Sequence, residues 1–438
     1  MVKNSVLKEF SKYSSLNVLG MLGISFYILA DTFFVANGIG SDALAALNIA
    51  LPVYSLVHGT ALLLGMGGGT KFSIYKSQGE NKKANSIFSQ TILIVAAFAA
   101  VYMLVGLLFS GNLAVMLGAD NVTFDMTNIY LKIVLLFSPA FILNETMICF
   151  IRNDGSPHLS TAGMIVGSLF NIVFDYIFIY DFKLGMLGAV LATGFSPVVS
   201  LMILSTHFLR RKNSFKFTKT KIKFKSILSV FSIGLPSLVT ELSSGIVIII
   251  FNIIMLKLCG NLGVAAYGVI ANIALVILAI FNGIAQGAQP IISKNYGRQN
   301  TKNMLLAFKY AALSAVLLAA GLYIIMFIFS NEITLIFNNE HNERLQELAT
   351  TGIKLYFIGC VFAGFNIISS AFFSSVENAK TANTISLLRG FIVIIPSAII
   401  LSALFSIDGL WLSFTACEFI VSIISVIFLI KNIAKKTV

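Results

Sequence analysis

Apolar residues run along the chain in uninterrupted stretches of roughly 20, the number an α-helix needs to cross a ~30 Å hydrocarbon core at 1.5 Å per residue. The stretches do not alternate apolar with polar as barrel strands would; 385–405 is apolar on every face. The pattern predicts an all-α integral membrane protein with twelve spans, at 14–36, 43–66, 88–109, 129–151, 159–180, 184–208, 228–257, 263–290, 304–329, 352–374, 384–405 and 410–430. The first stretch follows Lys3, Lys8 and Lys12 as a signal peptide would, but it is longer than a typical signal core and carries Asp31. It is read as an uncleaved span.

Composition agrees, with 57% apolar and 11% charged residues and a mean hydropathy of +0.91, values that no water-soluble chain of 438 residues supports. Cys149, Cys259, Cys360 and Cys417 are scattered through apolar segments with no paired spacing, as are His58, His158, His207 and His341. HExxH and GxSxG are absent, so neither zinc nor serine hydrolase chemistry is indicated, and neither enzyme activity nor a cofactor is expected.

The net charge of +12 is explained by where the cations fall rather than by a nucleic-acid partner. With the N-terminus inside, the predicted inner segments carry 25 of the 30 Lys and Arg and the outer ones five, which places both termini in the cytoplasm of a cell membrane. Eight cations and no acid occupy the sixteen residues from Arg210 to Lys225. This basic segment, 209–226, is read as a solvated cytoplasmic linker beside anionic lipid, dividing an N-terminal lobe, 1–208, from a C-terminal lobe, 227–438. At an offset of 221, Asp42–Ala50 aligns with Gly263–Ala271 and Gly188 with Gly409. Two six-helix repeats of even span number are parallel, and such pairs work by alternating access. A monomer is expected.

Ionisable groups inside a span cost from ~2.5 kcal/mol upward, so each needs a partner, a wet cavity or a proton. Asp31 lies in the first span, Asn171 and Asp175 one turn apart on one face of the fifth, and Thr193 on the sixth. Two carboxylates, an amide and a hydroxyl form a hard-oxygen set suited to Na+, or an acid pair that holds a proton. The structural alternative is that both acids cap helix ends near the outer interface. At the same offset Asp31, Asn171 and Asp175 meet Asn252, Ile392 and Pro396, so the acidic cluster is confined to one half. In the other half Glu241 and Asn252 share a face of the seventh span, and Asn282, Gln286 and Gln289 one side of the eighth. With Tyr27 they are candidate contacts for a cationic, drug-like ligand; helix-to-helix hydrogen bonding is the alternative for the amides. Glu145, near Arg152, and Glu418 carry less weight.

Asp31-Thr-Phe-Phe-Val35, Ala45-Ala46, Arg152-Asn-Asp-Gly155, Asn171-xxx-Asp175, Gly188-Ala-Val-Leu-Ala-Thr193 and Gly234-Leu-Pro236, in this order across twelve spans, resemble the multidrug and toxic compound extrusion (MATE) family, in its bacterial DinF- and MepA-like branch. The resemblance implies two six-helix lobes in a V, and export of amphipathic, often cationic compounds against entering H+ or Na+. DinF-like and archaeal members carry Asp, Asn, Asp and Thr at the positions of Asp31, Asn171, Asp175 and Thr193. Glu241 stands five residues after Pro236, closer than the corresponding acid of the NorM-like branch. The runner-up is a lipid-linked oligosaccharide flippase of the same superfamily, which would be expected to show cavity arginines; an intramembrane enzyme lacks its motifs.

Overall fold

Each apolar run of the sequence is helical, and the turns between runs fall where the polar residues interrupt them. A computed structural model describes the backbone of residues 2–221, 223–338 and 342–437 and the side chains of 5–221, 223–338 and 342–432. His341, and the side chains of Lys3, Lys435 and Lys436, lie outside the described residues. No strand is present among them.

The helices are α1 (Val2–Gly38), α2 (Ser41–Ser77), α3 (Asn81–Met116), α4 (Phe124–Leu136), α5 (Ser138–Asn153), α6 (Pro157–Tyr176) and α7 (Met186–Leu209). They continue as α8 (Phe224–Gly297), α9 (Thr301–Ile328), α10 (Ser330–Phe337), α11 (Glu343–Tyr356), α12 (Cys360–Ser375), α13 (Ala379–Leu387) and α14 (Ile394–Thr437). Among the described residues nine helical stretches are long and apolar enough to span, and α4 with α5 makes one more, bent by 50° at Phe137 ahead of Pro139. Two of the nine are double, α8 broken at Gly260 (φ 63°) and the last at Phe405 and Ser406 (φ 53°), which gives the twelve expected spans. The helices outrun the apolar runs: α2 continues to Ser77, because backbone bonding persists through polar residues until Gly79 (φ 78°) turns the chain. The short helix α10 was not expected from hydropathy.

The repeat is visible in the backbone. Turn residues with positive φ recur 220 to 222 positions apart: Gly40 with Gly260, Gly79 with Gln299, Gly155 with Glu377, and Gly185 with Ser406. Recurrence of the strained positions identifies one six-helix design used twice more firmly than the weak residue identity does.

By compactness the chain forms two units. The first holds Ser15–Leu242 and Ser293–Thr301; the second holds Met1–Ser14, Ser243–Ile292 and Lys302–Val438. In the first, α1, α2, α4 and α7 meet in a buried apolar cluster that includes Val35, Ala46, Leu47, Leu131, Val134 and Ala189. The start of α8 is pressed onto α2: a Cβ at Gly67 would overlap the Val230 carbonyl oxygen, and one at Gly234 the Leu63 carbonyl oxygen. The second unit is centred on Trp411, fully buried beside Tyr267 and against Gly352, with Tyr356 and Phe414 stacked at 4.3 Å.

Candidate functional site

Three helices of the first unit bring the predicted oxygen ligands together. Asn171 and Asp175 project from one face of α6 and are fully buried; Asp31 of α1 lies within hydrogen-bond reach of Asp175. In the orientation that satisfies both ends of its amide, Asn171 donates to Asp175 Oδ2 at 3.2 Å and accepts from the Thr193 amide of α7 at 3.3 Å. Asp31 Oδ1 and Asp175 Oδ1 are both buried without a hydrogen-bond partner among the described residues. Two adjoining carboxylates with an unfilled acceptor each have the chemistry to accept a small cation or a proton. Helix α6 changes register just past Asp175, passing into a π-helical segment, Ile177–Asp181, a distortion that recurs at functional positions.

Tyr130 of α4 completes the cluster. It is buried, its hydroxyl reaches the Thr193 hydroxyl, and Thr193 in turn donates to the Ala189 carbonyl at 3.1 Å. Among the described residues no three or more His, Cys, Asp and Glu side chains gather as a transition-metal site would require. The donors are hard oxygens throughout.

A small cavity of about 50 Å3, partly open, adjoins the cluster and shares Thr193 with it. Its wall is aromatic and acidic: Tyr27 from α1, Tyr54 and His58 from α2, Phe141 and Glu145 from α5. The Tyr27 and Tyr54 hydroxyls are 2.8 Å apart, and His58 stacks parallel on Tyr54 with centroids at 6.0 Å. Glu241, near the start of α8, faces His58, its Oε1 3.4 Å from Nδ1. Small residues on α6, Gly163 and Gly167, let α7 approach closely, with Ser196 donating to the Gly167 carbonyl at 2.8 Å.

The predicted residues therefore divide. Asp31, Asn171, Asp175 and Thr193 are brought together, and Tyr27 and Glu241 stand at or beside the adjoining cavity. Asn252, Asn282 and Gln286, all half-buried, and Gln289, fully buried, lie in the other unit, so Glu241 and Asn252, expected to share a ligand face, fall in different units. Arg152, buried, donates to Asn17 Oδ1 at 2.6 Å, while Glu145 lines the cavity. Tyr130 and His58 were not singled out from sequence.

Solved structures share this fold across nearly the full chain. An outward-facing multidrug resistance MATE transporter of the MOP superfamily superposes with a TM-score of 0.93 at 21% identity, covering 98% of this chain and 96% of that one. A MATE in complex with MaL6 gives 0.92, also at 21% identity, covering 98% and 97%. The shared fold is that of a multi-pass helical membrane protein. In sequence, the chain is similar to the multidrug export protein MepA of Staphylococcus saprophyticus, 25% identical over 98% of this chain and 95% of that one. MepA of Staphylococcus aureus strain MRSA252 is 26% identical over 95% and 92%. The MatE family profile matches residues 18–177 and 236–400, once in each half, and the chain belongs to that family.

Proposed function

We propose that this transporter is a secondary active multidrug exporter, taking amphipathic and often cationic compounds across the cell membrane in exchange for H+ or Na+. The observation that carries the reading is the buried pair Asp31 and Asp175, two carboxylates with unfilled acceptors, joined through Thr193 to an aromatic, acid-lined cavity. One proton or one Na+ held between the two carboxylates relieves their mutual repulsion, with Asn171, Thr193 and Tyr130 supplying the remaining oxygens. Because Thr193 belongs to both features, filling the acid site changes the cavity wall, which links ion entry to release of the compound. In the cavity Tyr27, Tyr54 and Phe141 supply flat apolar contact, and Glu145, with Glu241 beside His58, the charge that selects a cation. Asn252, Asn282, Gln286 and Gln289 would serve the compound elsewhere along its path.

On this reading the lobes 1–208 and 227–438 act as parallel repeats in alternating access, the termini are cytoplasmic, and the chain works as a monomer. The curated relatives named MepA, multidrug export proteins, support the substrate class. A flippase for pyrophosphate-linked lipid is less well supported, since the cavity lining contains no arginine and the nearby Arg152 is engaged with Asn17.

Purified protein in liposomes, with proton and sodium gradients imposed separately, tests the proposal. Ethidium-type cation movement driven by one gradient and opposed in direction to it is expected. Movement indifferent to both gradients would overturn the antiport reading, and phospholipid-linked sugar moving in place of the dye would favour the flippase.

A further inference from the structure

The basic segment between α7 and α8 is exposed to solvent yet held in place. Its described backbone, 212–221 and 223, has no regular structure, but it is fastened at intervals to side chains of the first unit. The Ser214 amide donates to Asp154 Oδ2 at 2.8 Å, the Lys216 amide to Asn85 Oδ1 at 3.0 Å, the Thr218 amide to Ser89 Oγ at 2.8 Å and the Lys223 amide to Gln90 Oε1 at 3.1 Å. Asn85, Ser89 and Gln90 all lie on α3, so the strap follows that helix. Phe215 plugs it down, fully buried among Phe72, Phe88, Phe150 and Phe208.

The keystone is Asp154, whose side chain is wholly buried. It accepts from the Ser214 amide and hydroxyl, pairs with Lys76, and meets His207 Nε2 at 2.9 Å. A buried carboxylate compensated on this scale holds one chain path, since releasing the strap leaves it short of partners.

All eight cations of the strap, Arg210 to Lys225, remain exposed, and none forms an ion pair among the described residues. Holding eight like charges on a fixed path raises their mutual repulsion, which a flexible linker would relieve by spreading. The arrangement is favourable only against an anionic surface. Apolar side chains interleave with the cations and identify that surface: Phe217 is 60% exposed, Phe224 78% and Leu209 78%. Both ends of the strap are also the ends of spans, which puts it at the bilayer boundary. Exposed aromatics among cations at that depth are the signature of a lipid interface rather than of a soluble polyanion.

We infer that the strap, in its described residues 210–221 and 223–225 and fixed by Asp154 and Phe215, is a binding surface for anionic phospholipid headgroups, with Phe217 and Phe224 seated in the interface. This inference does not depend on the transported compound. The full-length protein in phosphatidylcholine nanodiscs, with and without phosphatidylglycerol, is the assay, retained lipid being counted by native mass spectrometry. Wild type retains phosphatidylglycerol in preference to phosphatidylcholine. The double variant Lys219→Gln, Lys221→Gln weakens that retention by about 30-fold, two cations at ~1 kcal/mol each. The charge-matched pair Lys302→Gln, Lys309→Gln, outside the strap, leaves it unchanged. Equal losses in the two pairs, or no preference for phosphatidylglycerol in wild type, overturn the inference. Asp154→Asn separates a fixed ladder from mere charge, because it adds net positive charge while releasing the strap: trypsin cleaves 210–225 faster and retention falls. Undiminished retention in a folded Asp154→Asn, or in Phe215→Leu should the first not fold, rejects the fixed ladder. Displacement of the lipid by a single-stranded oligonucleotide or by inorganic phosphate at equal concentration rejects the lipid assignment.

Discussion

The two halves treat the same buried positions in opposite ways. At the repeat spacing of 221, Glu145, Ser168 and Pro197, all lining the cavity of the first unit, correspond to Asn366, Arg389 and Glu418 in the second. There the three side chains close on one another: Arg389 Nη2 donates to Glu418 Oε1 at 2.8 Å, and Asn366 Nδ2 to Glu418 Oε2 at 2.7 Å. Asn366 also receives Ser425 Oγ at 3.1 Å. One half fills the level with a self-satisfied ion pair; the other leaves an acid facing open space. A compensated charge fixes a structure, whereas an uncompensated one is available to a ligand.

The largest test of that contrast is to break the filled version. Arg389→Leu strands Glu418 with Asn366 alone and should lower unfolding stability by about 3–5 kcal/mol, read as the detergent-resistant melting midpoint. Replacing Arg389, Glu418 and Asn366 together with apolar residues of similar volume should return the midpoint near wild type; a full loss there would mean that the network matters beyond its charges.

The open half should respond in function rather than fold. Asp31→Asn keeps the shape and removes a buried charge, so coupled efflux should fall about 100-fold, ~2.7 kcal/mol of barrier, with expression and melting near wild type. Normal gradient-driven efflux from folded Asp31→Asn would remove the acid pair from the coupling site. A cap role predicts the reverse, poorer folding with transport per molecule retained.

A smaller effect is expected at the cavity wall. Glu145→Gln should weaken binding of a monocationic dye roughly tenfold, ~1.4 kcal/mol, and leave a neutral analogue of the same shape unaffected. Equal loss for both would make Glu145 a packing residue. The smallest concerns Asp120, in the turn before α4, whose carboxylate accepts from the Thr123 amide at 2.9 Å, the Thr123 hydroxyl at 2.8 Å and the Val122 amide at 3.1 Å. Those donors hold it below the usual carboxylate range. Its contribution is complete above that ordinary range and is lost only as pH falls through the lowered value, so Asp120→Ala should differ from wild type at neutral pH and converge with it in acid. Its counterpart in the repeat, His341, lies outside the described residues.

The span count and the double break at Gly260 and Ser406 were legible because hydropathy runs and turn chemistry are local. The group Asp31, Asn171, Asp175 and Thr193 was legible because charge within a span is rare and i, i+4 spacing fixes a shared face. Tyr130 was hidden among 13 tyrosines, with nothing in its neighbourhood to mark it. His58 acquires meaning only from Glu241, on a helix far along the chain. The anchoring of the strap was not legible for a related reason: its composition is that of a linker, and its anchors Asn85, Ser89, Gln90 and Asp154 are ordinary polar residues until the fold lines them up.

The contact of α2 with the start of α8 bears on how such a protein changes its spectrum under selection. Cavity residues such as Tyr27, Phe141 and Glu145 border open space, so many substitutions there fit, and on the proposed function they alter which compounds are held. Gly67 and Gly234 border carbonyl oxygens of the facing helix, and the smallest side chain at either forces the backbones apart. Variants selected on new drugs should therefore accumulate around the cavity while these two glycines stay unchanged, and a resistant lineage that lost either would have to carry a second change that reseats the helix.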